Sequence, residues 1–257
     1  MIDQLATIFT YTDATQKAQA VLKLGAQYGN IPIGARSASW PSRPGRPNQP
    51  ELCDPRQMPH RTTKGLQGRI ALLHALAHIE LNAIDLALDI IGRFYNQDMD
   101  QGFIDDWMIV ATDEAKHFLM INKRLTELDS YYGALPAHDG LWQAACDTSH
   151  DLLARLAIIP LVLEARGLDV TPAMIAKLEQ NGDTASANLL TVIYEDEKAH
   201  VAFGMKWFNF YCNKQQLTPE THYHQLVKAH FKAGLAPPFN HLARQEAGMP
   251  RFFYQQD

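Results

Sequence analysis

Asp-Glu-x-x-His occurs twice in the chain, at Asp113-Glu114-Ala115-Lys116-His117 and at Asp196-Glu197-Lys198-Ala199-His200. On a helix, residues three apart share a face, so each Glu points the same way as its His. A hard carboxylate beside a neutral imidazole suits iron or manganese. With 11 His in 257 residues, chance gives roughly 0.4 Glu-x-x-His pairs. Two pairs alone are therefore a mild sign, and the elements that carry them must sharpen it.

Four long helices are expected to position these pairs. The first spans about 64–95, and Leu73, Leu76, Ala77, Glu80, Ile84, Ala87 and Ile91 recur in it at helical spacing. Glu80 thus stands inside an apolar stripe, where a carboxylate without a partner costs several kcal/mol. The second spans about 101–129, with Trp107, Val110, Glu114, His117 and Ile121 on one face. The short connection near Asn96 to Gln101 makes these two antiparallel neighbours. The third begins near 148 and runs through DLLARLAIIPLVLEARG, with Glu164 the only acid in its apolar half. Pro160, one turn before Glu164, predicts a kink, either to make room for a ligand or only to pack. Thr171-Pro172 predicts the start of a separate short helix that Gly182 ends. The fourth, about 184–213, is capped by Asp183 and aligns Leu190, Ile193, Glu197, His200 and Gly204.

Each Glu-x-x-His helix thus comes after a helix with an isolated acid. Glu80 precedes Glu114 by 34 residues and Glu164 precedes Glu197 by 33, a twofold pseudo-repeat of a helix hairpin. Glu80, Glu114, His117, Glu164, Glu197 and His200 make four carboxylates and two imidazoles. Four-helix bundles that hold two iron or manganese ions use this ligand pattern, and the four charges balance two divalent ions. A buried Glu/His network without metal would leave these groups without a counter-charge. Glu195 competes with Glu197, but five residues from His200 it points away. Asp113 and Asp196 read either as acceptors that orient a ligand imidazole or as solvated acids. His74 and His78 lie off the face of Glu80 and read as supporting or core histidines. Tyr194 reads as core packing or as a shield over the site, and Trp107 as core.

The remaining sequence narrows the function classes. A net charge of −5 gives no general attraction for nucleic acid or anionic lipid. Cys53, Cys146 and Cys212 are scattered and suit a reducing compartment. The apolar run Leu156 to Leu163 is far shorter than the ~20 residues of a membrane span. The start, MIDQLATIF, lacks a secretory signal pattern, so a cytoplasmic protein without a membrane partner is expected. Residues 1–30 predict two short helices, the second capped by Thr12 or Asp13. Residues 31–62 hold seven prolines and exclude regular structure. From 31 to 64, six basic residues (Arg36, Arg43, Arg46, Arg56, Arg61, Lys64) stand against Glu51 and Asp54, a net of +4. Two readings stay open for this arm: a lip for an anionic substrate, or a belt whose arginines pair with helix carboxylates. Residues 130–147 read as a crossover, about 219–234 as a last helix, and the rest as an irregular tail. The whole is expected to be one domain: N-terminal helices and arm at 1–63, bundle at 64–213, helix and tail at 214–257.

The motifs HALAHIELNAIDLALD, DEAKHF, LEARGLDVTP and DEKAHVAFG resemble the ferritin-like diiron-carboxylate superfamily, in a bacterial branch distantly similar to the tRNA hydroxylases acting on methylthio-isopentenyladenosine. The resemblance covers about residues 60–210. It implies an all-α, ferritin-like four-helix bundle with one long crossover, and the six ligands already named. It also implies that Glu114 and Glu197 bridge the metals and act in catalysis. Two iron ions are the expected cofactor, with Mn/Fe or Mn/Mn sharing the same ligands. The leading expectation is an oxidoreductase that uses O2 to oxidise or hydroxylate a small organic substrate. An electron-donor protein and self-association are compatible with it. The alternatives are a ferroxidase or iron-handling protein, and a tRNA-modifying hydroxylase, for which only the basic arm speaks.

Overall fold

Four helices begin at an aspartate that caps them. Gln16 N–H donates to Asp13 at 2.7 Å, Gly102 N–H to Asp100 at 2.8 Å, Leu153 N–H to Asp151 at 2.8 Å and Ser186 N–H to Asp183 at 3.1 Å. Each bond satisfies one of the backbone donors that a helix start leaves open. A computed structural model describes residues 1–34, 39–96 and 99–255. Arg36 of the arm, and Gln97 and Asp98 between the first two bundle helices, lie outside the described residues. The protein is all-α; among the described residues the only β feature is an isolated parallel bridge between Leu52 and Ala137. The chain divides into two compact units, Met1–Trp142 and Gln143–Asp257.

In the first unit, α1 (Ile2–Phe9) and α2 (Ala14–Gly25) precede the arm, which contains a short 3-10 turn at Pro55–Gln57. Next come α3 (Leu66–Phe94) and α4 (Gln101–Glu127), which pack along one another, with α2 against α4. By length and composition α3 is long and apolar enough to cross a membrane, unlike the shorter run Leu156 to Leu163. Its window is 83% buried, and it carries buried Glu80, Asp85 and Asp89, the pattern of a core helix.

The arm is a belt. Arg46 reaches Asp85 of α3 at 2.9 Å and Asn82 at 2.7 Å. Lys17 of α2 binds the same Asp85 at 2.7 Å and the carbonyl of Gly45 at 2.8 Å. Trp40 donates its indole N–H to Asp89 at 2.7 Å, and Arg93 holds Asp89 while donating to the Pro41 carbonyl at 3.1 Å. Arg43 pairs with Asp139 and Arg56 with Asp54. Of the two readings of the arm, pairing with helix carboxylates is therefore the one these contacts carry out at Arg46. Three prolines among Pro41–Pro47 cannot supply ladder donors, so side chains make the attachments.

α5 (Gly140–Asp147) lies in the segment expected to be an irregular crossover and carries the junction of the two units. The second unit continues with α6 (Leu152–Ile158), a π-helical segment (Ile159–Glu164), α7 (Ala165–Gln180) and α8 (Thr184–Lys214). α9 (Pro219–His230) is shorter than expected, and the tail contains α10 (His241–Glu246) and α11 (Arg251–Tyr254) rather than only irregular chain. The sequence also predicts a helix break at Thr171-Pro172, yet α7 runs straight through it. The reason lies in the tail. Pro172 has no N–H for the Leu168 carbonyl, four residues earlier, and Asn240 Nδ2 donates to that carbonyl at 3.1 Å instead. The same Nδ2 donates to the Tyr194 hydroxyl at 3.1 Å, and Asn240 Oδ1 accepts from Ala243 N–H at 3.2 Å to cap α10. Asn240→Ala removes all three bonds, and we expect it to destabilise the protein by about 1–3 kcal/mol. Equilibrium urea unfolding reads this directly; an unchanged midpoint would mean that the tail does not support α7.

Candidate metal centre

Glu80 comes from the middle of α3 and Glu114 with His117 from the middle of α4. All three are buried, Glu80 at 3% exposure and the other two at 0%. His117 Nδ1 lies 3.2 Å from Glu80 Oε2 and 3.6 Å from Glu114 Oε2. One ligand atom from each falls within 4.8 Å of the others. The packing of α3 on α4 is what brings these carboxylates together, since the stripe that holds Glu80 and the stripe that holds Glu114 face one another.

The electrostatics favour a cation here. Burial raises the Glu80 carboxyl well above its ordinary range, and the neighbouring Glu114 pushes it the same way. At His117 burial works against the charged ring, but Glu114 and Glu80 outweigh it and raise its pKa to about 11. Two carboxylates and an imidazole drawn into a dry pocket thus recruit positive charge. A proton on His117 is one way to provide it; a divalent ion is another, and the O,O,N donor set fits iron or manganese.

The second unit carries the matching half. His200 is fully buried, and its Nδ1 lies 3.6 Å from Glu197 Oε2, the same separation as in the first pair. Both Glu-x-x-His turns therefore bring the carboxylate to the same distance from the imidazole. Glu164 ends the π-helical segment, half-buried, on a stretch that packs against α8. Glu195 is exposed and pairs with Lys198 at 2.9 Å. Asp113 pairs with Lys116 at 2.8 Å.

The supporting residues are tied down in ways the helical pattern did not reveal. His74 Nε2 accepts from the backbone N–H groups of Gly133 and Leu135, at 3.0 and 3.4 Å. His78 meets the Tyr132 hydroxyl at 2.8 Å and the His138 carbonyl at 3.1 Å. Both imidazoles fasten the 131–139 loop, and burial lowers the pKa of each to about 4, so they work as neutral rings. Tyr132 also sets its ring edge-on to Phe118, the residue after His117, at 5.4 Å. No helical pattern marks it in the sequence. In the second unit the tail grips the 194–200 turn from outside. Besides Asn240 on Tyr194, Glu246 pairs with Lys198 at 3.0 Å. Arg244, stacked between Phe239 and Tyr254, holds buried Asp169 of α7 by two bonds of 2.9 and 2.7 Å. Trp107 is a core residue, 1% exposed and packed on Phe103.

These features define an all-α protein with a buried carboxylate-and-histidine cluster in the first unit and a second Glu–His pair of the same separation in the second. The chain belongs to the family described as Protein of unknown function (DUF455), whose model matches residues 9–255. It is similar to a protein of Haemophilus influenzae described as uncharacterized, with 42% identity over 176 residues. That match takes in 66% of this chain and 61% of the relative, so it spans about three fifths of the relative's length. No solved structure matches the chain.

Proposed function

We propose that the chain binds two divalent metal ions through Glu80, Glu114, His117, Glu164, Glu197 and His200. We propose further that, with iron, it is an O2-dependent oxidoreductase of the ferritin-like diiron class acting on a small organic substrate. The observation that carries this reading is the trio Glu80, Glu114 and His117, buried together with a raised carboxyl and an imidazole raised to about 11. A purely structural cluster would gain from burying apolar groups; this one sets two carboxyls and an imidazole side by side in the interior, where protons or a cation must balance them.

Bound iron would supply the binding positions and the electrons for O2 reduction. The chain's own residues set the conditions. Glu80 and Glu114 in one half, and Glu164 and Glu197 in the other, each give two carboxylates, enough to cancel one divalent charge. His117 and His200 give one neutral donor each, and their helices hold them rigidly. Buried Ala77, Leu81, Ile84 and Ala111 exclude water around the first half, which protects an oxidant from quenching. The pairing of Arg43, Arg46 and Arg56 with acids leaves the arm less free charge for phosphate, which weighs against the tRNA-modifying reading.

The site should also respond to pH. Metal must displace the proton that the metal-free His117 holds, so affinity rises with pH, by up to about tenfold per unit, while that ring is protonated. The sign for stability is opposite. The His117 pKa is raised on folding from 6.5 to about 11, so its contribution to the metal-free fold is complete below pH 6.5 and is lost as pH rises toward 11. Co(II) titrations at pH 6.5 and 7.5 check the first statement. The oxidase reading itself is tested by mixing Fe(II)-loaded protein with O2. Protein-dependent O2 uptake that Glu197→Ala abolishes supports it; uptake no faster than that of free Fe(II) refutes it.

A further inference from the structure

Pro160 and Gly204 each weaken a helix interior, and in this fold they meet. A Cβ added at Gly204 would lie 2.6 Å from Pro160 Cβ, 2.8 Å from its Cγ and 3.2 Å from Leu161 Cδ2. Only glycine therefore lets α8 come this close to the π-helical segment. That segment, Ile159–Glu164, holds Pro160, which lacks an N–H, in its second position and ends at Glu164. A π-turn holds one extra residue, so the residues after it are rotated by about 100° from their places on an unbroken α-helix.

The register of this contact is informative. Pro160 lies four residues before Glu164, and Gly204 four residues after His200. α7 and α8 are packed neighbours joined by a turn at 181–183, so they run antiparallel. Moving one turn, about 5.4 Å, from the Pro160–Gly204 contact reaches Glu164 on one side of the hairpin and His200 on the other. The contact thus fixes the height of Glu164 against His200, and the π-turn fixes its direction.

We propose that Pro160 and Gly204 are positioning residues. Together they hold a π-turn whose task is to aim Glu164 at the ion shared with Glu197 and His200. A straight α-helix through the same residues would turn Glu164 away. This inference rests on the metal-binding reading and adds that one ligand is aimed by a backbone irregularity rather than by its own helix face.

The test is Co(II) binding, monitored by metal content and the Co(II) absorption bands, with circular dichroism and thermal midpoints alongside. The variants are Gly204→Ala, Pro160→Ala, Glu164→Ala and the double variant Gly204→Ala/Glu164→Ala. Wild type is expected to take two Co(II) per chain. Gly204→Ala should weaken one of the two ions by about tenfold or more, the scale of losing a ligand's support. In the double variant the loss should be no greater than in Glu164→Ala alone, because both act through one side chain. Pro160→Ala restores the N–H and lets the π-turn relax. It should weaken the same ion while the thermal midpoint stays at or above that of wild type, which a merely structural proline would not do. It also decides the matter if Gly204→Ala does not fold. Two ions in wild type with unchanged affinity in Pro160→Ala, or additive losses in the double variant, overturn this inference alone. No metal in wild type overturns the reading beneath it.

Discussion

Replacing Glu114 with Gln is expected to leave the metal-free protein within about 1 kcal/mol of wild-type stability and to weaken metal binding by 100-fold or more, on the order of what a lost ligand costs. A fully buried acid would ordinarily be expensive to remove. Glu114 differs because it shares its pocket with a second acid. Glu80 is pushed up partly by Glu114, and His117 is 3.2 Å from Glu80. When Glu114 becomes neutral, Glu80 ionises more readily and takes over the imidazolium, so one ion pair replaces another. With metal present the comparison reverses. At a free ion concentration 100 times its Kd, a bound ion stabilises wild type by about 2.7 kcal/mol, and that increment should vanish in the variant. Urea unfolding with chelator and with Co(II) separates the two effects. A variant that is strongly destabilised without metal, and unchanged in its response to metal, would make Glu114 a structural acid.

Asp85→Asn should behave in the opposite way, with a loss of about 3–5 kcal/mol and no change in metal stoichiometry of the folded protein. Asp85 is as buried as Glu114, but it sits between two cations, Lys17 at 2.7 Å and Arg46 at 2.9 Å. Lys17 is itself 1% exposed. Burial lowers its pKa and Asp85 works against that shift. An Asn at 85 leaves both cations facing a neutral amide. The loss also loosens the arm, because Lys17 and Arg46 are its tethers to α2 and α3. Since small domains hold only about 5–15 kcal/mol in total, this single change should lower the urea midpoint severely. A shift under about 1 kcal/mol would mean that the arm is not fastened through Asp85. Two fully buried acids, one on α3 and one on α4, thus have contrasting roles that one pair of unfolding curves can tell apart.

Local rules made much of this legible. The amphipathic stripe of α3 marked Glu80, the i, i+3 spacing marked both Glu-x-x-His turns, and Asp13 and Asp183 marked helix starts that the structure has. The features hidden from such rules depend on partners far along the chain. Pro172 reads as a helix break until Asn240 is seen to donate to the Leu168 carbonyl in its place. Pro160 predicts a kink; a π-helical segment lies there, and the close approach of Gly204, which a side chain would block, is not legible locally. The arm's arginines could be read as a lip or a belt, since only the fold shows that Asp85 faces Arg46 and that Asp89 faces Trp40. Residues 130–147 read as a crossover, although Gly140–Asp147 forms a helix. The tail's short helices are likewise not legible, and neither is their grip on Tyr194 and Lys198. Short-range periodicity thus marks Glu80 and Glu114 as buried acids, while the burial of Asp85 and Asp89 depends on partners far along the chain.

The central claim is that these six residues hold two metal ions. The most direct measurement is elemental analysis of the full chain after anaerobic loading with Fe(II) and removal of free metal, for wild type, Glu114→Gln and Glu197→Ala. The account expects two ions per chain in wild type and fewer than one in each variant, with helix content unchanged. A wild-type protein that retains no stoichiometric Fe(II), Mn(II) or Co(II), or variants that retain as much as wild type, would contradict it.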